Sequence, residues 1–187
     1  MVLLLARVLP ATILVPLVPM LDDTAQLRER LPNILGAATM LMLLASYAIT
    51  PLATITGRRG NLVLRRDFAL WACFFAFTDL VSAAAMDGVL TGTVGQAGLA
   101  AGTLATLLLI PLAVTSNRWS MRRLGRSWKR LHRLIYPIFA VVVVHLVLVG
   151  SPGFAVFFAV AVILLAIPRH RRVKRWFVSR RNAAGER

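Results

Sequence analysis

Apolar residues fall in long, nearly unbroken runs separated by short charged or polar segments, so the length that matters is the roughly 20 residues needed to cross a bilayer core. Six runs can be marked, at about 2–21, 33–56, 67–86, 93–115, 134–150 and 153–168. Lipid offers no water to the backbone, so each run is expected to close its own hydrogen bonds as a helix. The pattern predicts an all-α protein, a six-span transmembrane helix bundle. The first run contains Pro10, Pro16 and Pro19 and lacks the basic start of a signal peptide, so it reads as a retained, kinked span. The last two runs are short and joined by Gly150-Ser151-Pro152-Gly153, which predicts a tight turn and an antiparallel hairpin. No repeat or low-complexity linker divides the chain. Residues 1–187 therefore read as a single integral membrane domain, with a basic tail over 169–187.

Charge adds an orientation to this pattern. Of 187 residues 58% are hydrophobic and 16% charged, and the net charge is +15. In a soluble protein such a charge would suggest nucleic acid, but here the basic residues cluster at the ends of apolar runs, where they orient helices and meet anionic lipid. Nucleic-acid binding is set aside. Arg58, Arg59, Arg65 and Arg66 lie in one connection, Arg118, Arg122, Arg123, Arg126, Lys129, Arg130 and Arg133 in another, and the tail from Arg169 is basic again. The alternate connections hold Asp22, Asp23, Arg28, Glu29 and Arg30, then Asp87, then no charge. Both termini and both basic loops are expected on the cytoplasmic side of a bacterial-type inner membrane. Trp119, Trp128 and Trp176 fall near that face and read as interfacial anchors.

Little of the chain offers enzyme chemistry. Neither a nucleophile with its base, nor paired catalytic carboxylates, nor a Gly-rich phosphate loop occurs, so a stand-alone enzyme is not expected. The lone Cys73 excludes an internal disulfide, and the lack of Cys-x-x-Cys-His excludes covalently attached haem. His170 sits in the basic tail and reads as solvated.

What remains is a pair of histidines thirteen residues apart, His132 and His145, at the start and in the middle of the fifth run. On an ideal helix they stand about 20 Å apart in height and about 140° apart in direction. Pro137 removes a backbone donor from the first turn, so His132 is allowed a pre-helical turn whose phase is independent of His145. In the third run Arg65 and Asp79 are fourteen apart, about 21 Å in height and within about 40° of one face. Arg65 thus matches the level of His132, and Asp79 the level of His145. A buried carboxylate needs a partner, and His145 is the expected one. A plain Asp79–His145 hydrogen bond joining two helices without any cofactor accounts for the pair as well as metal ligation does.

The string TPLATITGRRGNLVLRRDFALWACFFAFTDL, the segment Leu112-Ala113-Val114-Thr115-Ser116, and Arg123-Leu124-Gly125-Arg126 leading through Trp128 to His132 and Tyr136 resemble the MsrQ/YedZ group of the ferric-reductase-like transmembrane superfamily. The likeness extends over about residues 35–150. It implies a six-helix bundle holding b-type haem between the third and fifth spans. Such proteins carry electrons from a cytoplasmic flavin reductase or from quinol to a partner outside, in MsrQ a periplasmic molybdenum enzyme that repairs methionine sulfoxide. By the same resemblance His132 and His145 occupy haem-ligand positions, and Arg65 matches the first of an Arg-Arg pair placed near the cytoplasmic haem.

One position departs from that pattern. Where the family has a third-span histidine this chain has Asp79, and Asp67 and Ala69 replace a usual hydrophobe and glycine. A bis-histidine site at the level of His145 is therefore not expected within the chain, leaving one haem or none, rather than two. Two functions follow. The first is a membrane-embedded b-type cytochrome subunit for electron transfer, with His132, His145 and Arg65 as cofactor-binding residues and quinone or flavin contributed through partners. The second is a haem-depleted homologue serving as a structural or assembly subunit of a larger complex. In either case the expected partners are lipid and redox or structural proteins in the membrane or periplasm.

Overall fold

A computed structural model describes residues 24–57, 62–85, 93–170, 173, 175, 176, 179 and 180. The expected first span, the charges Asp22, Asp23, Arg58, Arg59 and Asp87, and most of the basic tail lie outside these residues. The described chain contains seven α-helices and no strand. They are α1 Thr24–Thr56, α2 Leu62–Ala85, α3 Thr93–Val114, α4 Arg118–Leu124, α5 Arg126–Leu131, α6 Ile135–Leu148 and α7 Pro152–Ala166.

The segments Arg30–Thr56, Gly95–Val114, Arg126–Leu148 and Pro152–Arg169 are long and apolar enough to cross a membrane. Helix α2, at 24 residues, spans about 36 Å but carries Arg65, Arg66, Asp67 and Asp79. Phe77 is 54% exposed and Ile163 63%, in company with Phe74, Val144 and Phe157 on outward faces that water would not tolerate. Hydroxyl groups within the helices turn inward on their own backbone. Thr103, Thr106, Thr115 and Ser116 each donate to the carbonyl four residues earlier, which satisfies them without a neighbour. The protein is an integral membrane protein.

Two antiparallel pairs organise the bundle. Helix α1 packs along α2, and α3 along α6; α7 lies against α6 and returns to α1, while α2 touches α3. No comparable packing joins α2 to α6. The core between the pairs is built from Leu35, Met42, Leu43, Tyr47, Phe75, Leu109, Ile138, Phe139 and Phe158. Phe139 binds three helices together by edge-to-face contacts, at 5.0 Å to Tyr47 of α1 and 5.6 Å to Phe158 of α7.

Two boundaries differ from the apolar pattern. Helix α1 begins at Thr24 rather than near residue 33, running through Pro32, because polar residues extend a helix that hydropathy alone cannot detect. The fifth run is not one uniform helix: α5 gives way to a 3-10 turn over His132–Leu134 before α6 starts. Pro137 in the first turn of α6 has no N–H for the Arg133 carbonyl, which favours the tighter turn upstream.

The hairpin between α6 and α7 forms as its residues require. Gly150 at φ +79° donates to the Val147 carbonyl, Ser151 donates to Leu146, and Pro152 opens α7 where no N–H is needed. Replacing Gly150 by Ala forces a side chain into a left-handed backbone and is expected to destabilise the protein by about 1 kcal/mol. Gly153→Ala, in helical backbone with open space around it, is the control and should be neutral. Denaturant titration of both variants in mixed micelles reads the difference.

Candidate functional site

The end of α3 and the return into α6 build one wall of the site. Asn117 caps α4 by accepting from the Ser120 N–H at 2.6 Å, and Gly125 at φ +49° breaks α4 from α5. The reversal brings Trp128 under the end of α3, where its indole N–H donates to the Thr115 carbonyl at 2.9 Å. His132, one turn on, stacks on that indole with ring centres 3.9 Å apart.

The protonation of His132 is dictated by its partners. Its Nδ1 lies 3.1 Å from the Trp128 carbonyl, and a carbonyl only accepts, so Nδ1 carries the proton and donates. Nε2 keeps its lone pair and sits 3.5 Å from Ser116 Oγ, a hydroxyl that donates to the Leu112 carbonyl at 2.5 Å. This is the arrangement of a ligating imidazole: one nitrogen fixed by a backbone acceptor, the other free to coordinate.

Opposite stands α2. Ser46 of α1 donates to the Arg65 carbonyl at 2.8 Å, fixing the register at which Arg65 and Arg66 enter the bundle. Because α2 and α6 do not pack directly, a cavity of about 520 Å³ lies at this level, bordered by Arg65, Ala69, Tyr47, Leu112, His132 and Phe139, among others. That volume falls in the range of about 300–1,000 Å³ found for cofactor and small-molecule sites. Arg66 and Arg118 also border it, and among the described residues no acidic one does. Arg169 closes the outer side of Tyr47, donating to its carbonyl at 2.7 Å with the guanidinium 3.6 Å over its ring.

At the second level the expected pair does not form. His145 Nδ1 donates to the Gly98 carbonyl of α3 at 2.8 Å, and its ring fills the space above Gly102, where an added Cβ would meet Cε1 at 2.8 Å. Asp79 lies on the other helix pair, its Oδ2 3.9 Å from the position of a Cβ at Gly36 of α1. The two residues have different neighbours, because α6 packs on α3 while α2 packs on α1. The expectation that Asp79 partners His145 is thus corrected. His170 is exposed, as its place in the basic tail suggests. Among the described residues no three His, Cys, Asp or Glu side chains cluster to hold a bare metal ion.

The sequence pattern had linked Arg65 with His132 by depth, and the structure places both at one cavity. It gave no role to Tyr47, Ser116 or Arg118, and read Trp128 only as an anchor. A signal for Trp128 existed in its spacing, one helical turn before His132.

The chain is similar in sequence to known proteins. The family model described as the ferric reductase like transmembrane component matches residues 34–143. The haem-binding subunit MsrQ of protein-methionine-sulfoxide reductase from Rhizobium meliloti is 35% identical over 154 residues, covering 77% of this chain and 71% of that protein. The subunits of the same name from Xanthomonas campestris pv. campestris strain 8004 and Xanthomonas axonopodis pv. citri are 37% and 36% identical over 130 residues. These two matches cover 66% of this chain and 58% of each relative. No solved structure matches the chain.

The corrected pairing is testable by additivity. His145→Ala is expected to cost about 1 kcal/mol through its lost interhelical bond. Combined with Asp79→Asn the effects should add within about 0.5 kcal/mol, as for residues that share no partner. Combined with Gly102→Ala, which crowds the same ring, they should not. A coupling between Asp79 and His145 above that limit would restore the direct pair.

Proposed function

We propose that this chain, which belongs to the ferric-reductase-like transmembrane family, is the membrane-embedded electron-transfer subunit of a reductase system and holds one b-type haem at the level of His132. The carrying observation is the cavity between α2 and α6, with a histidine whose Nδ1 is bound to the Trp128 carbonyl and whose Nε2 has only the Ser116 hydroxyl beside it, at 3.5 Å. The donor set fits the group: an imidazole nitrogen for iron, apolar walls for a macrocycle, and arginines for its acidic edge. Haem supplies one-electron exchange between ferric and ferrous iron. The chain's own residues do the rest.

His132 would hold the iron through Nε2, with Trp128 fixing the tautomer and, by stacking, the orientation of the ring. Arg65 would balance negative charge at the edge of the site, and Leu112 and Phe139 would exclude water, which favours the less charged ferrous state. His145 is read as a helix-joining residue rather than a ligand, since its ring is packed into the Gly102 notch. The haem-depleted assembly subunit accounts for Asp79 but gives no reason for the cavity around His132.

Within this reading the bundle has six spans, the first formed by residues 2–21, with both termini and the His132 level facing the cytoplasm of a bacterial inner membrane. Electrons would enter there from a flavin reductase or quinol. They would leave to a partner on the far side, as suggested by relatives named as haem-binding subunits of protein-methionine-sulfoxide reductase.

Oxidised and dithionite-reduced visible spectra of the purified protein provide the test. A Soret band is expected in the wild type and in His145→Ala, and its loss is expected in His132→Ala. Absence of the band from haem-replete wild type would overturn the cytochrome reading. Loss in His145→Ala with retention in His132→Ala would move the ligand to the other level.

A further inference from the structure

Two cations of the cavity have no counter-charge among the described residues. Arg66 lies 3.5 Å from Asp67, but among the described residues no carboxylate stands within salt-bridge distance of Arg65 or Arg118. Both border the same cavity, from different elements: Arg65 is half-buried on α2, and Arg118 is exposed at the first residue of α4. Arg118 is held there by the Asn117 cap, whose Oδ1 accepts from Ser120 and whose Nδ2 donates to the Val114 carbonyl at 2.9 Å. The walls beyond these cations include Leu43, Leu109, Leu112 and Phe139.

A neutral ligand would cover Arg65 without pairing it, which is costly in a place partly removed from water. An apolar body with acidic groups along one edge suits this lining. We infer that Arg118 is a second anionic anchor beside Arg65, so that the cavity selects a ligand with two acidic groups, one for each guanidinium. The inference rests on the haem reading, because haem b carries two propionates. It adds a residue to which neither the family likeness nor the cytochrome reading gives a role.

The two anchors differ in strength for a physical reason. Arg65 pairs where water is partly excluded, so its charge-assisted bond is the stronger. Arg118 is exposed, so its contribution is smaller and falls with added salt.

The test compares haem b with its dimethyl ester, which keeps the macrocycle and iron but loses both acids. The full chain, purified from haem-limited cells, is titrated with each in detergent and binding is followed by the Soret band. Wild type is expected to bind haem b at least about tenfold tighter than the ester at low salt. Arg118→Gln should weaken haem b by about threefold and leave the ester unchanged, with the difference shrinking at high salt. Arg65→Gln should weaken haem b by about tenfold, and Arg118→Lys should recover most of the wild-type preference.

Equal affinity of wild type for haem b and its ester would overturn the two-acid site while leaving the haem reading intact. So would an Arg118→Gln variant that weakens both ligands alike, which marks a merely structural role, or one that changes neither. Wild type that binds neither ligand would instead remove the haem reading, and this inference with it.

Discussion

An imidazole N–H placed between helices in lipid has no water to donate to, and the site follows from how two histidines meet that constraint. His132 gives its proton to the Trp128 carbonyl one turn back, and His145 gives its proton to Gly98 on the neighbouring helix. In both rings Nε2 is left with the lone pair. The surroundings then separate them. His132 Nε2 belongs to a ring bordering a cavity, whereas the His145 ring is pressed against the backbone of α3 at Gly102. The same arrangement at the nitrogen therefore leaves one imidazole beside a cavity and packs the other between helices.

Helix pairing decides which level stays open. With α1 on α2 and α3 on α6, helices α2 and α6 have no backbone packing comparable to that within each pair. Large side chains close most of that gap: Phe75, Ile138, Phe139 and Phe158 are buried in the core between the pairs. At the level of Arg65 the gap remains as the cavity. Positive charge collects there because the helix ends that border it carry arginines of the kind favoured near a membrane surface, and among the described residues Asp67 offsets Arg66.

Much of this was legible in the sequence. Apolar run lengths located α3, α6 and α7 to within a few residues, but polar residues hid the start of α1, and the pair Arg65-Arg66 set the expected start of α2 five residues late. The spacing placed Arg65 at the level of His132, and both border one cavity, since height along a helix depends on rise per residue. Direction was another matter. Spacing places Asp79 and His145 at one height but says nothing about which helix each faces, and that is set by packing of Gly98 and Gly102 against α6. Arg118 was visible only as one of many basic loop residues. Its place at the cavity depends on the Asn117 cap and the Gly125 break, which fix a loop path that no periodicity encodes.

Asp79 stands where the resemblance led to the expectation of a histidine. The ring of His145 is held by packing and by one interhelical bond, and the proposed reading therefore assigns the haem to His132. This makes haem stoichiometry the decisive quantity. Pyridine haemochrome measured against quantitative amino-acid analysis of the haem-replete wild type gives that ratio directly. One haem per chain is the predicted result; two per chain, or none, would contradict it.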